Sequence, residues 1–313
     1  MLTYFIRRLA MSVVVLFLLA IATFFLIHLV PGDPVRVMLG SRATPHTVAE
    51  VRAQLGLDRP LIDQFGTFLK HSVTGHFGDS ITLNAPVGQL IGERIAPSAL
   101  LITYGLLVAL LIGVPLAIVA AVRPNGVIDN AIRVVTTFSF AMPTFWLGLV
   151  LALLLGLELK LFPVSGYHTG IGGILKTLTL PALTLGLSLA AVVVRTLRSS
   201  LLEVLQTEYI DAARARGLSE RRVIGKHALR NAVMPTITIL AIDLGYLIGG
   251  TVVIEAVFQI PGLGSLLVQS VEHRDYTLVQ VLALLAGATV VLVSLATDFL
   301  QAAIDPRVRL ASA

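Results

Sequence analysis

Few side chains in this 313-residue chain are spaced for covalent chemistry. There are no cysteines, which excludes thiolate nucleophiles, disulfides, zinc–thiolate sites and iron–sulfur clusters. The seven histidines include no H-E-x-x-H pair of the kind that holds a hydrolytic zinc. Gly186-Leu187-Ser188 would suit a nucleophile within a membrane, but no histidine lies between Tyr276 and Ile304 to act as its base. No G-x-x-x-x-G-K-[ST] run is present, so the chain lacks a phosphate-cradling loop of that kind. No residue is assigned a catalytic or metal-binding role. What remains is charge in unexpected places. Asp243 and Glu255 sit within or at the end of an apolar stretch, and residues 195–230 carry eight basic and four acidic side chains.

The composition explains why so little is left. Only 13% of residues are charged and 56% are hydrophobic, whereas about a quarter of a soluble domain is charged. That is too little charge to cover a surface facing water, so most of the surface faces lipid. The expected class is an all-α integral membrane protein. The same numbers exclude disorder. A net charge of +5 and a pI near 9.8 invite a nucleic-acid reading, but the cytoplasmic loops of membrane proteins collect Lys and Arg for their own reasons. No nucleic-acid partner is expected.

A spanning helix needs about 20 apolar residues, and six nearly charge-free stretches meet that need: 9–32, 95–122, 134–157, 177–194, 231–254 and 276–297. The first is longer than a signal-peptide core and lacks a small-residue cleavage site, so it reads as a retained anchor. With both termini in the cytoplasm, inner segments hold fourteen Lys and Arg, against three in the short outer ones. Residues 1–97 therefore read as a first span plus an extracytoplasmic region, and 98–313 as a five-helix core. In the first region, "LGLDRPLIDQFGTFLKHSV" predicts a turn and an amphipathic helix with Leu61, Phe65 and Phe68 on one face.

The inner segment between spans four and five, about 199–234, reads as helix, glycine break, helix. Leu201, Leu205, Tyr209 and Ala212 follow helical spacing. Gly217 suits the left-handed position after a helix, and Ser219 an N-cap for the next. Ala212, Ala213, Ala215 and Gly217 leave one end nearly bare of side chains, with charges flanking it. Two readings stand on physics alone: a knob for a partner's groove, or a basic helix lying on anionic lipid.

"EYIDAARARGLSERRVIGKHALRNAVMP", residues 208–235, resembles the EAA loop of permease subunits from binding-protein-dependent ABC importers. Asp211, Ala212, Ala213 and Gly217 match the motif's acidic-Ala-Ala and Gly positions, with Asp replacing the first Glu. Further motifs resemble the B-type peptide permeases along nearly the whole chain: "RRL" (7–9), "PGDP" (31–34), "LGLDRPL" (55–61), "EAVFQIPGLG" (255–264), "RDY" (274–276) and "DPR" (305–307). "GHFGDS" (75–80) departs from the branch, with His76 where Asp is usual.

The resemblance implies a coupling helix docking on an ATPase through Glu208, Tyr209, Asp211, Ala212, Ala213, Arg214, Arg216 and Gly217. It implies a second permease chain, two cytoplasmic ATPases that bind the ATP and Mg, and an extracytoplasmic solute-binding protein met near Arg274 and Asp275. No cofactor belongs to this chain, and it is not itself an enzyme. The location implied is a prokaryotic plasma membrane. The implied cargo is small peptides, glutathione among them, with nickel or another small solute as the alternative. An ion-gradient-driven carrier is the other class, and it would survive without an ATPase.

Asp243, midway along the fifth span, costs about 2.5–3.5 kcal/mol to insert. It either lines the path, with Tyr246, Glu255 and Phe258 as further path or gate candidates, or makes a structural bond to a neighbouring helix. Glu255 is either interfacial or part of a gate. Gly245, Gly249 and Gly250 predict close helix packing. A bulky residue at Ala213 or Gly217 is expected to abolish ATPase association, measured by co-purification, while leaving membrane insertion intact.

Overall fold

A computed structural model describes residues 2–29, 34–40, 43–54, 56–80 and 82–304. The motifs at 31–33 and 305–307 lie outside those residues. Among the described residues the regular structure is helical but for one hairpin of two two-residue strands, and the chain divides into two compact units. Five of the described helices are long and apolar enough to cross a membrane, or six spans if one bent pair counts as a single crossing.

The first unit takes in Met1–Ser98 and Pro261–Leu295. It contains α1 (Leu2–Leu29), α2 (Pro34–Leu39), α3 (Pro45–Gln54), α4 (Leu61–Thr74), strands β1 (Asp79–Ser80) and β2 (Ala85–Pro86), the start of α5 (Val87–Val122), α12 (Leu263–Glu272) and most of α13 (Tyr276–Ile304). The expected amphipathic helix is α4. Phe65 and Phe68 pack edge-on or tilted against Phe24 of α1, at centroid distances of 5.2 and 5.9 Å. Leu61 does not join that face. As the first residue of α4 it stays exposed. On the other side of α1, Gln280 of α13 donates to the Thr23 carbonyl at 3.1 Å. A methyl added to Gly287 would meet Leu19 Cδ2 at 2.3 Å, so α13 needs a bare backbone there.

The second unit takes in Ala99–Ile260 and Ala296–Ala311. It holds the rest of α5, α6 (Val127–Ala141), α7 (Thr144–Leu151) running into a π-helix over Ala152–Glu158, α8 (Ile171–Leu205), α9 (Glu208–Ala215), α10 (Glu220–Arg222) running through a π-helical Val223–Ala228, and α11 (Leu229–Val257). The centre is α8. In its most apolar stretch 78% of residues are buried, against 17% for the Glu220–Val257 span, so the other helices pack around it. Pro181 sits inside α8, where it has no N–H to give. Threonines Thr177 and Thr184 add side-chain bonds to the Gly173 and Leu180 carbonyls at 2.8 and 2.9 Å, neither of which is the Thr177 carbonyl that the proline leaves without its helical donor.

Close approach to α8 comes from α5, at glycines that periodicity did not single out. A Cβ on Gly113 would meet Val193 Cβ at 2.8 Å, and one on Gly186 would meet Val108 Cγ1 at 2.5 Å. The face expected to pack tightly does not. Gly249 and Gly250 are exposed, and an added Cβ would find open space. A small residue permits contact only where another helix is aimed at it.

The third span also differs from the straight helix expected over 134–157. Helices α6 and α7 meet at 108°, the break falling at Met142 and Pro143. Met142 is extended, φ −78° and ψ 136°, because a residue before proline is pushed out of the helical region. Gly186→Leu is expected to destabilise the subunit by about 1–3 kcal/mol through overpacking, read as a lower Tm in detergent. Gly249→Leu leaves the Tm unchanged.

Candidate functional site

Three places hold the residues singled out above. The first is the segment between α8 and α11. A single helix through Leu201 and Ala212 does not form. The chain breaks at Gln206–Thr207, Thr207 turns extended, and its carbonyl accepts the first bond of α9 from the Ile210 N–H at 3.0 Å. The break shifts the helical phase, so Tyr209 and Ala212 face outward while Ile210 and Ala213 are buried. Ala213 is thus not on the smooth surface. It packs with Ala117, Leu197, Leu201, Val223 and Ala232 in one apolar cluster, and a bulky residue there disrupts that cluster whether or not a partner docks.

The end of α9 is built as the glycine implied. Gly217 has φ +78°; its N–H reaches the Arg214 carbonyl at 2.9 Å, and Leu218 N–H reaches the Ala213 carbonyl at 3.4 Å, the paired bonds of a Schellman turn. Ser219 is extended and stands at the N-cap position, but its side chain makes no capping bond. Glu220 spends its carboxylate on Arg214, Nε to Oε1 at 2.9 Å, and Asp211 takes the same guanidinium at 3.3 Å. That hydrogen bond to Glu220, helped by its charge and by Asp211, raises the Arg214 pKa above the ordinary arginine range. Tyr209 is tied down at its hydroxyl by Asn231 Nδ2 at 2.8 Å. Glu208, Asp211, Ala212, Ala215, Arg216 and Gly217 remain exposed.

The second place is a groove of about 230 Å³ lined by Phe140, Met142, Ser188, Asp243, Tyr246 and Gly250 among others. Among the described residues, three buried side-chain oxygens have no hydrogen-bond partner: Ser188 Oγ, Thr236 Oγ1 and Asp243 Oδ2. Two of the three residues, Ser188 and Asp243, line this groove, and the two oxygens themselves are shielded from solvent with no partner on a neighbouring helix. Of the other path candidates, Tyr246 lines the groove and is 77% exposed, while Glu255 and Phe258 do not line it. Glu255 is wholly buried within the protein. Phe258 belongs to the apolar core around Leu178, Leu180 and Ile254, and its ring fills the space beside Gly148.

The third place is the turn between α12 and α13. Arg274 is exposed at φ +58°, but Asp275 is wholly buried. Its Oδ1 accepts the Leu278 N–H at 3.1 Å, capping α13. Its Oδ2 accepts the hydroxyls of Ser80 and Thr82, the latter at 2.6 Å, which fastens the β1–β2 hairpin to the helix start. Asp275 is therefore unavailable to a docking protein.

Comparison with known proteins gives this geometry its context. Residues 113–310 match the binding-protein-dependent transport system inner membrane component, and residues 1–89 match the N-terminal part of such membrane components. The chain belongs to this family. It is a membrane-spanning permease subunit of an ABC importer, a multi-pass protein of a bacterial inner membrane. The permease is 38% identical over 309 residues to the glutathione transport system permease protein GsiC of Escherichia coli (strain K12), and 40% identical to that of Pectobacterium atrosepticum, covering 99% of each chain. Its fold is shared with two inward-facing forms of the MetNI methionine ABC transporter. The TM-scores are 0.58 and 0.53 at 20% and 22% identity, over 69% of this chain and 97% of those.

Sequence reasoning missed one pairing in the permease. Arg198 of α8 clamps Asp129 of α6 with two nitrogens of one guanidinium edge, Nε to Oδ1 and Nη2 to Oδ2 at 2.6 Å each, and Asp129 is wholly buried. Nothing in spacing links residues 69 positions apart. Ser188 has no nucleophilic partner in the sequence, and only the fold shows that it lines the groove with a buried hydroxyl that no protein group meets. Asp275→Ala is expected to destabilise the permease by about 2–3 kcal/mol, leaving buried donors without an acceptor. Arg274→Ala changes stability by less than about 0.5 kcal/mol. Thermal unfolding in detergent measures both.

Proposed function

We infer that the chain forms one half of the transmembrane path of an ATP-driven importer of small peptides, glutathione among them. The observation that carries the peptide reading is identity of 38–40% along the full length to permeases named for glutathione transport. The chain has no ATP-binding loop, so ATP and Mg are held by two partner ATPases, and an extracytoplasmic binding protein delivers the solute. A second permease chain completes the path. In its favour is an exposed stripe on α11, Ile242, Tyr246, Gly249, Gly250 and Val253, which recurs at helical spacing beside the groove.

In this reading both termini and α9 are cytoplasmic and Arg274 is outside, the orientation that the Lys and Arg distribution favours. Helix α9 is the coupling element. Its outward face offers Glu208, Asp211, Arg216 and the bare Ala212 and Ala215 to the ATPase. Its inward face, Ile210 and Ala213, packs against α5, α8 and the start of α11. Closure of the ATPase pair pushes α9, and the push reaches the spans through that cluster as a rigid-body transition.

Ala212→Trp and Ala215→Trp test the docking face without touching the buried cluster. Each is expected to lower ATPase co-purification and glutathione uptake at least about tenfold, the effect of blocking a well-packed interface centre, with unchanged amounts of permease in the membrane. Normal uptake and normal co-purification in both variants would remove α9 from the coupling role.

A further inference from the structure

The groove at Asp243 has a neighbour of opposite charge. Phe140 lines the groove and also a second recess of about 180 Å³, whose other walls include Arg133, Thr136, Thr137, Arg195 and Arg198. The three guanidinium groups there are not equivalent. Arg198 is committed to Asp129 by two bonds, and Arg133 lies 3.9 Å from the same carboxylate. Arg195 has no carboxylate within ion-pair distance among the described residues. Its guanidinium carbon lies 4.7 Å from the Phe140 ring centroid, a cation–π contact that fixes its place. Arg195 is also near enough to Asp243 for the two charges to interact.

A carboxylate and a guanidinium that form no ion pair in direct contact thus line two recesses sharing one aromatic ring. Isolated charges in an apolar helix bundle are expensive unless something answers them. Here the carboxylate oxygen and the adjacent Ser188 hydroxyl find nothing in the protein. A metal cation is a poor answer: the groove supplies one carboxylate and three hydroxyls, from Thr144, Ser188 and Tyr246, and no imidazole or second carboxylate. A neutral solute leaves the charges unanswered. A small molecule carrying an ammonium at one end and a carboxylate at the other answers both.

We propose that the two recesses form one zwitterion-reading site, in which Asp243 and Ser188 receive the ammonium of a short peptide and Arg195 receives its carboxylate. Phe140 separates the poles and presents an apolar surface to the peptide's middle. This rests on the peptide reading above and sharpens it: the path admits peptides with a free ammonium and a free carboxylate, and blocking either group slows passage. Tyr246 and Gly250 keep the groove open beside Asp243, the tyrosine offering a ring and the glycine offering room.

The test uses the complete complex in proteoliposomes, with its binding protein outside and ATP inside. Radiolabelled glutathione and trialanine are the probes, each also in N-acetylated and C-terminally amidated forms. Asp243→Asn is expected to cut uptake of the carried free-amino peptide about tenfold, the loss of a charge-assisted bond. It should also erase the preference over the N-acetylated form. Asp243→Glu restores both. Arg195→Gln cuts uptake of the free-acid peptide and spares its C-terminal amide. The amount of assembled complex recovered from the membrane and its Tm in detergent stay at the level of the unaltered complex in every variant, which a general folding defect would not allow. If the unaltered complex carries a peptide and Asp243→Asn carries it as fast with the same preference, the site is wrong and the peptide reading stands. If Asp243→Glu fails like Asp243→Asn, or recovery of the assembled complex falls with uptake, Asp243 is structural and the proposal is overturned. If the unaltered complex carries neither peptide, both readings fall together.

Discussion

Inside a bilayer the lipid tails are as apolar as leucine, so helices gain little by hiding apolar side chains from them; they hold together by fitting closely. In this permease that fit centres on α8. Glycines at 105, 113 and 186 bring α5 and α8 into contact at distances a methyl would fill, and α8 becomes the most enclosed of the spans. The remaining architecture of the second unit depends on that. Helices α6, α7 and α11 each pack on α8, and the short α9 rests on the cluster that Leu197 and Leu201 of α8 share with α5 and the start of α11. A displacement of α9 reaches the same helix that carries Ser188 and Arg195, the residues placed in the proposed path.

Irregular backbone is confined to where it has partners. The two π-helical stretches, Ala152–Glu158 and Val223–Ala228, lie at the ends of α7 and α11, a setting in which such turns often mark functional joints. In the first unit the hairpin is anchored by a buried carboxylate that also starts α13. One aspartate there does two structural tasks.

The sequence made the class and the span positions legible because insertion into lipid imposes a length and forbids charge, both visible in one dimension. It made the end of α9 legible because only a residue tolerant of positive φ closes that turn, and Gly217 does. What it hid depends on direction. A break of two residues rotated α9, so Ala213 faces in and Tyr209 out. Asp275 looked like a loop charge, yet the donors that bury it come from residues 80 and 82. The Gly249–Gly250 pair looked like a packing face, and no helix came to meet it. Asp243 was legible as an anomaly, while its Oδ2 being left without a partner in a groove shared with Ser188 was not.

The clamp between Arg198 and Asp129 sets a mechanical rule for the bundle. Two short bonds in a water-poor setting, reinforced by the Asn125 N–H at 2.8 Å, resist sliding, because one turn of slippage would strand both charges. The opening turn of α6 is thereby welded to α8, and the two must swing as a single lever. Any relative motion between that lever and α7 meets the extended Met142 elbow, where the helix between them is already broken.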